Sequence, residues 1–402
     1  MQNILFITWD GPQTNYMEGL FMPILSEVQK SANYRIHIIQ FTWGTQERIA
    51  ITQKKAAALD VIYTAKTISR KPVAVLGSLL TLYSGIKFLK KYINNNKIDI
   101  VMPRSTMPSI MVNRLKKTNF KILFDADGLP LEERVDFSGL LRTSRQYRFF
   151  KMEETKMLQQ ADGVITRSQK AIDIHLETIH HKRPERFSVV FNGRNIDFFK
   201  PKGSMKSQIQ AELNIQQNAK LFVYCGSLGP QYGWDEMIVI FQKYQQKYSD
   251  AFFLILTGNM EFAKQRIPAE LSKNIMIKKV PFEEVPKYLS AADIAFAIRE
   301  PKFSMQGVAP IKLGEYLLMG IPTIASAGIG DSEELIKQVP NTFLFYHDKP
   351  NAIDEALRFV ENLSEINHQK IREFGINFFS VEKSAESYIQ SFNKLSNICN
   401  CI

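Results

Sequence analysis

Residues 307–322 read GVAPIKLGEYLLMGIP. Gly307 and Pro310 predict a tight loop. A helix is expected from near Ile311 to Met319, with Gly320 ending it in the left-handed conformation. Pro322 then leads into the apolar run 323–325, which reads as a strand. A loop that feeds a helix start offers backbone N–H groups and the positive end of the helix dipole. Lys312 adds a cation in the first turn, and the combination suits a diphosphate. Glu315, one turn further on, can accept two hydrogen bonds from the hydroxyls of a ribose. The plain alternative is that Lys312 and Glu315 form an ordinary i,i+3 surface pair on a packed helix.

Working outward, the same alternation of short apolar runs and longer helical patterns recurs on both sides. Runs at 221–224, 252–256, 275–278, 294–297 and 323–325 predict one set of buried parallel strands. An earlier set lies at 4–8, 36–41, 98–102, 121–125 and 163–166. Two successive α/β patterns predict two doubly wound, Rossmann-like domains, and a chain of 402 residues is long enough for both. Between them lies VVFNGRNIDFFKP (189–201), an Asn-Gly turn followed by aromatics and a proline. The expected domains are therefore 1–188 and 189–380. The last helix, about 381–396, carries Ala385, Tyr388, Ile389, Phe392 and Leu395 on one face. It could pack back on the first domain or dock on the second.

Composition excludes several classes. With 45% hydrophobic and 23% charged residues the chain reads as a globular protein, not a disordered one. Cys225, Cys399 and Cys401 cannot form a disulfide framework for this length, which fits a reducing cytosol. The start MQNILFITWD reads as a first strand and not as a signal peptide. No apolar stretch approaches the roughly 20 residues of a spanning helix. The six histidines show no metal-ligand spacing. His180 and His181 fall in an expected surface loop.

The net charge is +11, and it is concentrated. Between Lys66 and Lys121 stand twelve basic residues and one acid, Asp99, so this segment alone carries +11. Within it Leu79, Leu80, Leu82, Tyr83, Ile86, Leu89 and Ile93 interleave with Lys87, Lys90 and Lys91 at helical spacing. This pattern describes either a basic amphipathic helix on an anionic membrane or a core helix with a solvated basic face. No nucleic-acid-binding motif accompanies the charge, so nucleic acid is not an expected partner.

Four segments, in order, resemble the retaining GT-B glycosyltransferases of the family-4 type, bacterial polysaccharide and glycolipid enzymes among them. FNGRNIDFFKP (191–201) is similar to the interdomain linker. VYCGSLGPQYGWDEMI (223–238) is similar to the first strand and Gly-rich turn of the donor domain, FEEVPKYLSAADIAF (282–296) to its helix-then-strand segment, and PIKLGEYLLMGIPTIAS (310–326) to its donor-site helix. FLILTGN (253–259) fits between them. In the first half, FDADGLPLEERVD (124–136) resembles a segment of polysaccharide members, with Asp127 where arginine is usual.

The resemblance implies a GT-B fold with a donor bound in a central cleft, retention of configuration, and no metal or cofactor. The nucleotide sugar is then a substrate. It places Glu315 on the ribose, the backbone of Val308, Ala309, Pro310 and Ile311 on the diphosphate, and Gly226 and Ser227 in the Gly-rich turn. The acceptor would be a saccharide or a lipid-linked sugar, and the enzyme would work in the cytoplasm or at the inner face of the plasma membrane. Three usual donor contacts are missing: Gly307 stands where a glutamate is common, and Ser227 and Tyr232 stand where basic residues are common. Arg299 and Lys302 are candidate replacement cations.

At the expected strand ends of the first domain, Asp10 and Gly11 are candidates for acceptor or donor contact. Arg104 stands where relatives place a residue facing the sugar. Asp125 and Asp127, with Glu133 and Arg134 following, are either a paired-carboxylate acid/base set or a salt-bridge network. Arg104, Asp127 and Lys312 are the expected catalytic residues.

Overall fold

The computed structural model describes residues 1–397 apart from 13, 14, 72, 117, 118 and 204. Lys117, Cys399, Cys401 and two positions of the first loop therefore lie outside the described residues. The chain divides into two compact units. Met1–Gly193 joins with the helix that begins at Val381, and Arg194–Ser380 forms the other.

The first unit is built on a seven-stranded, wholly parallel sheet. Its strands are β1 (Gln2–Asp10), β2 (Tyr34–Thr42), β3 (Ile62–Thr67), β4 (Ile100–Pro103), β5 (Lys121–Asp127), β6 (Gly163–Thr166) and β7 (Phe187–Val189), in the order β3-β2-β1-β4-β5-β6-β7. Ile4 faces Ile36 on one side and Ile100 on the other. Strands covered on both faces need continuous apolar runs, and Ile4, Leu5, Phe6 and Ile7 are fully buried.

The second unit repeats the plan with six strands. They are β8 (Leu221–Cys225), β9 (Phe252–Leu256), β10 (Ile275–Lys278), β11 (Ile294–Ala297), β12 (Thr323–Ser326) and β13 (Thr342–Phe345), ordered β10-β9-β8-β11-β12-β13. In both sheets the order reverses beside the first strand, and such switch points are where open α/β sheets bind ligands.

Three strands were not expected: β3, β7 and β13. All three are sheet edges. An edge strand is covered less, so its sequence need not be uniformly apolar, and IYTAKT in β3 is only half-buried. The first unit also extends past 188 to Gly193. The Val190 N–H donates to the Thr166 carbonyl at 2.9 Å, and the Phe191 N–H donates to Ser387 Oγ at 3.3 Å, which hold this segment to the first unit.

The helix Val381–Asn397 supplies that unit with buried Ala385, Tyr388, Phe392 and Leu395. The basic segment contains a long helix, Ala74–Asn95. Leu82, Leu89 and Ile93 belong to the core, so the expected interleaved stripe is split between two faces. No helix among the described residues is long and apolar enough to cross a membrane.

Candidate active site

In the second unit the helix Ile311–Leu318 starts at Pro310 with no side-chain cap. Its C-terminal glycine behaves as expected: Gly320 is left-handed at φ +68°. Gly307 closes a 3-10 helix, Phe303–Gly307, without a positive φ, and the chain then runs extended through Val308. The conformational freedom of glycine is used instead at Gly226, where φ is +141° and any other residue would be strained. The end of the Lys312 side chain fills the space that a Cβ would take there. The Cys225 N–H donates to the Tyr316 hydroxyl at 2.8 Å and ties the two elements together. Burial, with Glu315 adding, pushes the Cys225 thiol up to about 12.

Lys312 and Glu315 do not form the surface pair. The half-buried Lys312 turns toward β8, donates to the Tyr224 hydroxyl, and sits 3.8 Å above the ring of Tyr232. Arg299 stacks on the same ring at 4.8 Å, and its backbone N–H donates to Ser326 Oγ at 2.9 Å. Two cations thus share one aromatic platform, a cation–π arrangement. Among the described residues neither has a carboxylate partner. Burial, with Arg299 adding, holds the Lys312 ammonium well below the usual lysine range. Ser227 contributes its carbonyl, which accepts from Tyr224. Lys302 is exposed.

Glu315 is 7% exposed, and its Oε1 accepts from Arg194 Nε at 2.8 Å. The expected open ribose acceptor is thus one half of a buried ion pair. A carboxylate has about four lone-pair sites, and this bond uses one of them. Arg194 lies within the quoted linker, but a single arginine in a turn carries no periodic signal.

Glu236, Glu300 and His347 offer ligand atoms within 4.8 Å of one another. They come from three separate segments, so no sequence spacing announced them. His347 Nδ1 lies 3.5 Å from Glu236, and its Nε2 lies 2.9 Å from Ser326 Oγ. The His347 hydrogen bond draws Glu236 below the usual carboxylate range; burial, with Glu236 adding, raises Glu300. Two carboxylates and an imidazole are donors of the kind that hold a divalent cation, and here His347 is already engaged by Glu236 and Ser326.

In the first unit the ends of β4, β5 and β6 bring together Arg104, Asp125, Asp127 and Arg167. Arg104 Nη2 meets Asp127 at 2.7 Å, and Arg167 Nη2 meets Asp125 at 2.9 Å and the Tyr388 hydroxyl at 3.2 Å. Burial opposes the charge on Arg104, and Asp127 and Asp125 more than offset it. Of the two readings of Asp125 and Asp127, the salt-bridge network is present in the structure, with Asp125 fully buried against Arg167. Arg167 was missed, although it directly follows a strand. Ser105 (φ +61°, ψ −164°) and Asp127 (φ +67°) are strained, a feature that clusters at functional sites. Half-buried Asp10 ends β1, and Gly11 lines a small polar pocket with Glu18, Gln40, Thr42 and Arg48.

Residues 205–377 match the family model of glycosyl transferases group 1, so the match falls within the second unit. No curated protein matches the chain. Similar solved structures include HepE of Anabaena in complex with UDP, at 14% identity and TM-score 0.70 over 98% of this chain and 100% of that one. Sucrose-phosphate synthase of Thermosynechococcus elongatus is 16% identical with TM-score 0.71, covering 99% and 100%. The lipopolysaccharide outer core galactosyltransferase WaaB is 16% identical with TM-score 0.64, covering 98% and 99%. The fold is therefore GT-B, two Rossmann-like domains, with the glycosyl transferase family signature on the second.

Proposed function

We propose that this chain is a glycosyltransferase that takes a sugar from a nucleotide-sugar donor held by the second unit. The observation that carries the proposal is the pair Lys312 and Arg299 around Tyr232, beside the start of the helix Ile311–Leu318. Two cations without carboxylate partners, next to a helix N-terminus, match the charge of a diphosphate. The UDP complex of the similar HepE structure supports a nucleoside diphosphate as the ligand. Lys312 and Arg299 stand in for the basic residues missing at Ser227 and Tyr232.

The acceptor is a saccharide or a lipid-linked sugar, in cell-surface polysaccharide or glycolipid synthesis at the cytoplasmic side. The WaaB likeness supports this class. Catalysis is electrostatic: fixed N–H groups and cations stabilise the departing diphosphate. The acceptor proton passes to the leaving phosphate and the configuration is retained. This route needs no protein base, which agrees with Asp125 and Asp127 being committed to arginines. Lys312 and Arg299 supply the positive charge that a metal would otherwise bring.

The test is nucleotide release from a panel of nucleotide sugars on acceptor addition, with and without a chelator. Turnover that survives chelation and is lost in Glu315→Ala supports the reading, and full activity of that variant removes Glu315 from the site. A second reading is a non-catalytic nucleotide-sugar binder. It is favoured by Gly307 at the usual glutamate position and by the pairing of Glu315 with Arg194. Binding without turnover distinguishes it.

A further inference from the structure

The helix Ala74–Asn95 carries on its outer face a stripe that the core does not use. Val75, Leu76, Leu79, Leu80 and Tyr83 recur at i, i+1, i+4, i+5 and i+8, the spacing of a single helix face. They are between 49% and 71% exposed, and Val73 just before the helix is 56% exposed. Isolated exposed apolar side chains are ordinary, but six in one contiguous patch mark an interaction surface. The inner face of the same helix is fully spent, since Leu82, Leu89 and Ile93 lie in the core.

Charge identifies the partner. The stripe continues along the same face into exposed Lys87, Lys90 and Lys91, and exposed Arg70 and Lys71 stand at its other end. Lys87 lies 4.7 Å above the Tyr83 ring, so cation and apolar surface are contiguous. No acid occurs between Lys66 and Asp99. A second copy docking on this face would bring five cations against five. An anionic lipid surface satisfies both parts, with the apolar side chains entering the headgroup–acyl boundary and the cations meeting the headgroups.

We propose that the face of this helix formed by Val75, Leu76, Leu79, Leu80 and Tyr83, flanked by Arg70, Lys71, Lys87, Lys90 and Lys91, docks the protein in the plane of an anionic bilayer. The stripe from Val75 to Lys91 is roughly 24 Å long at 1.5 Å per residue. It lies on the membrane and does not span it. The inference uses no residue of the second unit and stands apart from the donor reading.

The experiment is sedimentation of the full chain with phosphatidylcholine vesicles containing 30% phosphatidylglycerol, against pure phosphatidylcholine. Binding to the anionic vesicles is expected, weakening with salt. Lys87→Gln, Lys90→Gln and Lys91→Gln together should weaken it about 100-fold, at roughly fivefold per lysine. Leu79→Ser with Leu80→Ser should abolish it while the melting temperature stays unchanged, because both side chains are exposed. Tyr83→Trp should show a blue-shifted emission on anionic vesicles. Absence of binding to the anionic vesicles overturns the proposal, as does binding indifferent to the Leu79/Leu80 variant. A dimer in sedimentation velocity that the same variant dissociates would reassign the face to a second copy. Nucleotide binding should be the same in all these variants, so failure here and failure of the donor reading are separable.

Discussion

Each unit gathers cations where its strands end, but each treats them differently. In the first unit Arg104 and Arg167 are met by Asp125 and Asp127. In the second unit Lys312 and Arg299 share the Tyr232 ring and have no carboxylate among the described residues. A neutralised cluster is a scaffold: it fixes strand ends and attracts no ion. An aromatic platform brings no countercharge, and leaves Lys312 and Arg299 able to meet an anion. The contrast separates a charge-paired centre from the proposed binding centre, and neither the Arg167 partner of the first nor the shared Tyr232 ring of the second was marked in the sequence.

The contrast can be broken first on the stability side. Asp125→Asn strips the buried arginines of a charge partner and should cost about 3–5 kcal/mol, the usual result of breaking a buried pair. Urea denaturation measures it, and an unchanged midpoint would mean the cluster is not the scaffold described. On the binding side, Lys312→Ala should weaken nucleoside diphosphate binding by about 10–100-fold, the worth of a charged hydrogen bond, with little loss of stability. Calorimetry reads the affinity.

The protonation of Lys312 sharpens the same point. Burial, with Arg299 adding, holds its ammonium well below the usual lysine range, with Cys225 and Glu315 nearby pulling it back up. A bound diphosphate raises it, so binding should take up a proton, and affinity should fall as pH rises through the free-state value. Calorimetry in buffers of different ionisation enthalpy counts that proton; zero uptake would leave Lys312 charged before binding. The smallest effect is expected for Tyr232→Leu. Losing the platform removes about 0.5–2 kcal/mol of cation–π attraction, a few-fold to roughly 30-fold weaker binding.

The central strands were legible because burial on both faces forces continuous apolar runs, as in ILFIT (4–8) and FFLIL (252–256). The edges were not, because TFLF in β13 and IYTAKT in β3 are partly exposed and obey a looser rule. The helix Ile311–Leu318 and its Gly320 stop were readable from local chemistry. Partners brought together by the tertiary fold were not. Arg194 reaches Glu315 across 121 residues, and Arg167 reaches Asp125 across 42, with nothing local to mark either. Tyr232 looked like a lost cation in the sequence; in the fold it is the surface on which two others rest.

The way the chain re-enters the first unit sets an order of assembly. The second unit is continuous, Arg194–Ser380, and its ends are clasped: the Arg194 N–H donates to the Phe379 carbonyl at 2.7 Å. It can close as soon as its own residues leave the ribosome. The first unit cannot, because Ala385, Tyr388, Phe392 and Leu395 of its core are synthesised only after the second unit. Its sheet must wait, lacking part of its cover, while the inserted module is made. Where the earlier domain of a chain usually folds first during synthesis, here the first unit should finish after the second.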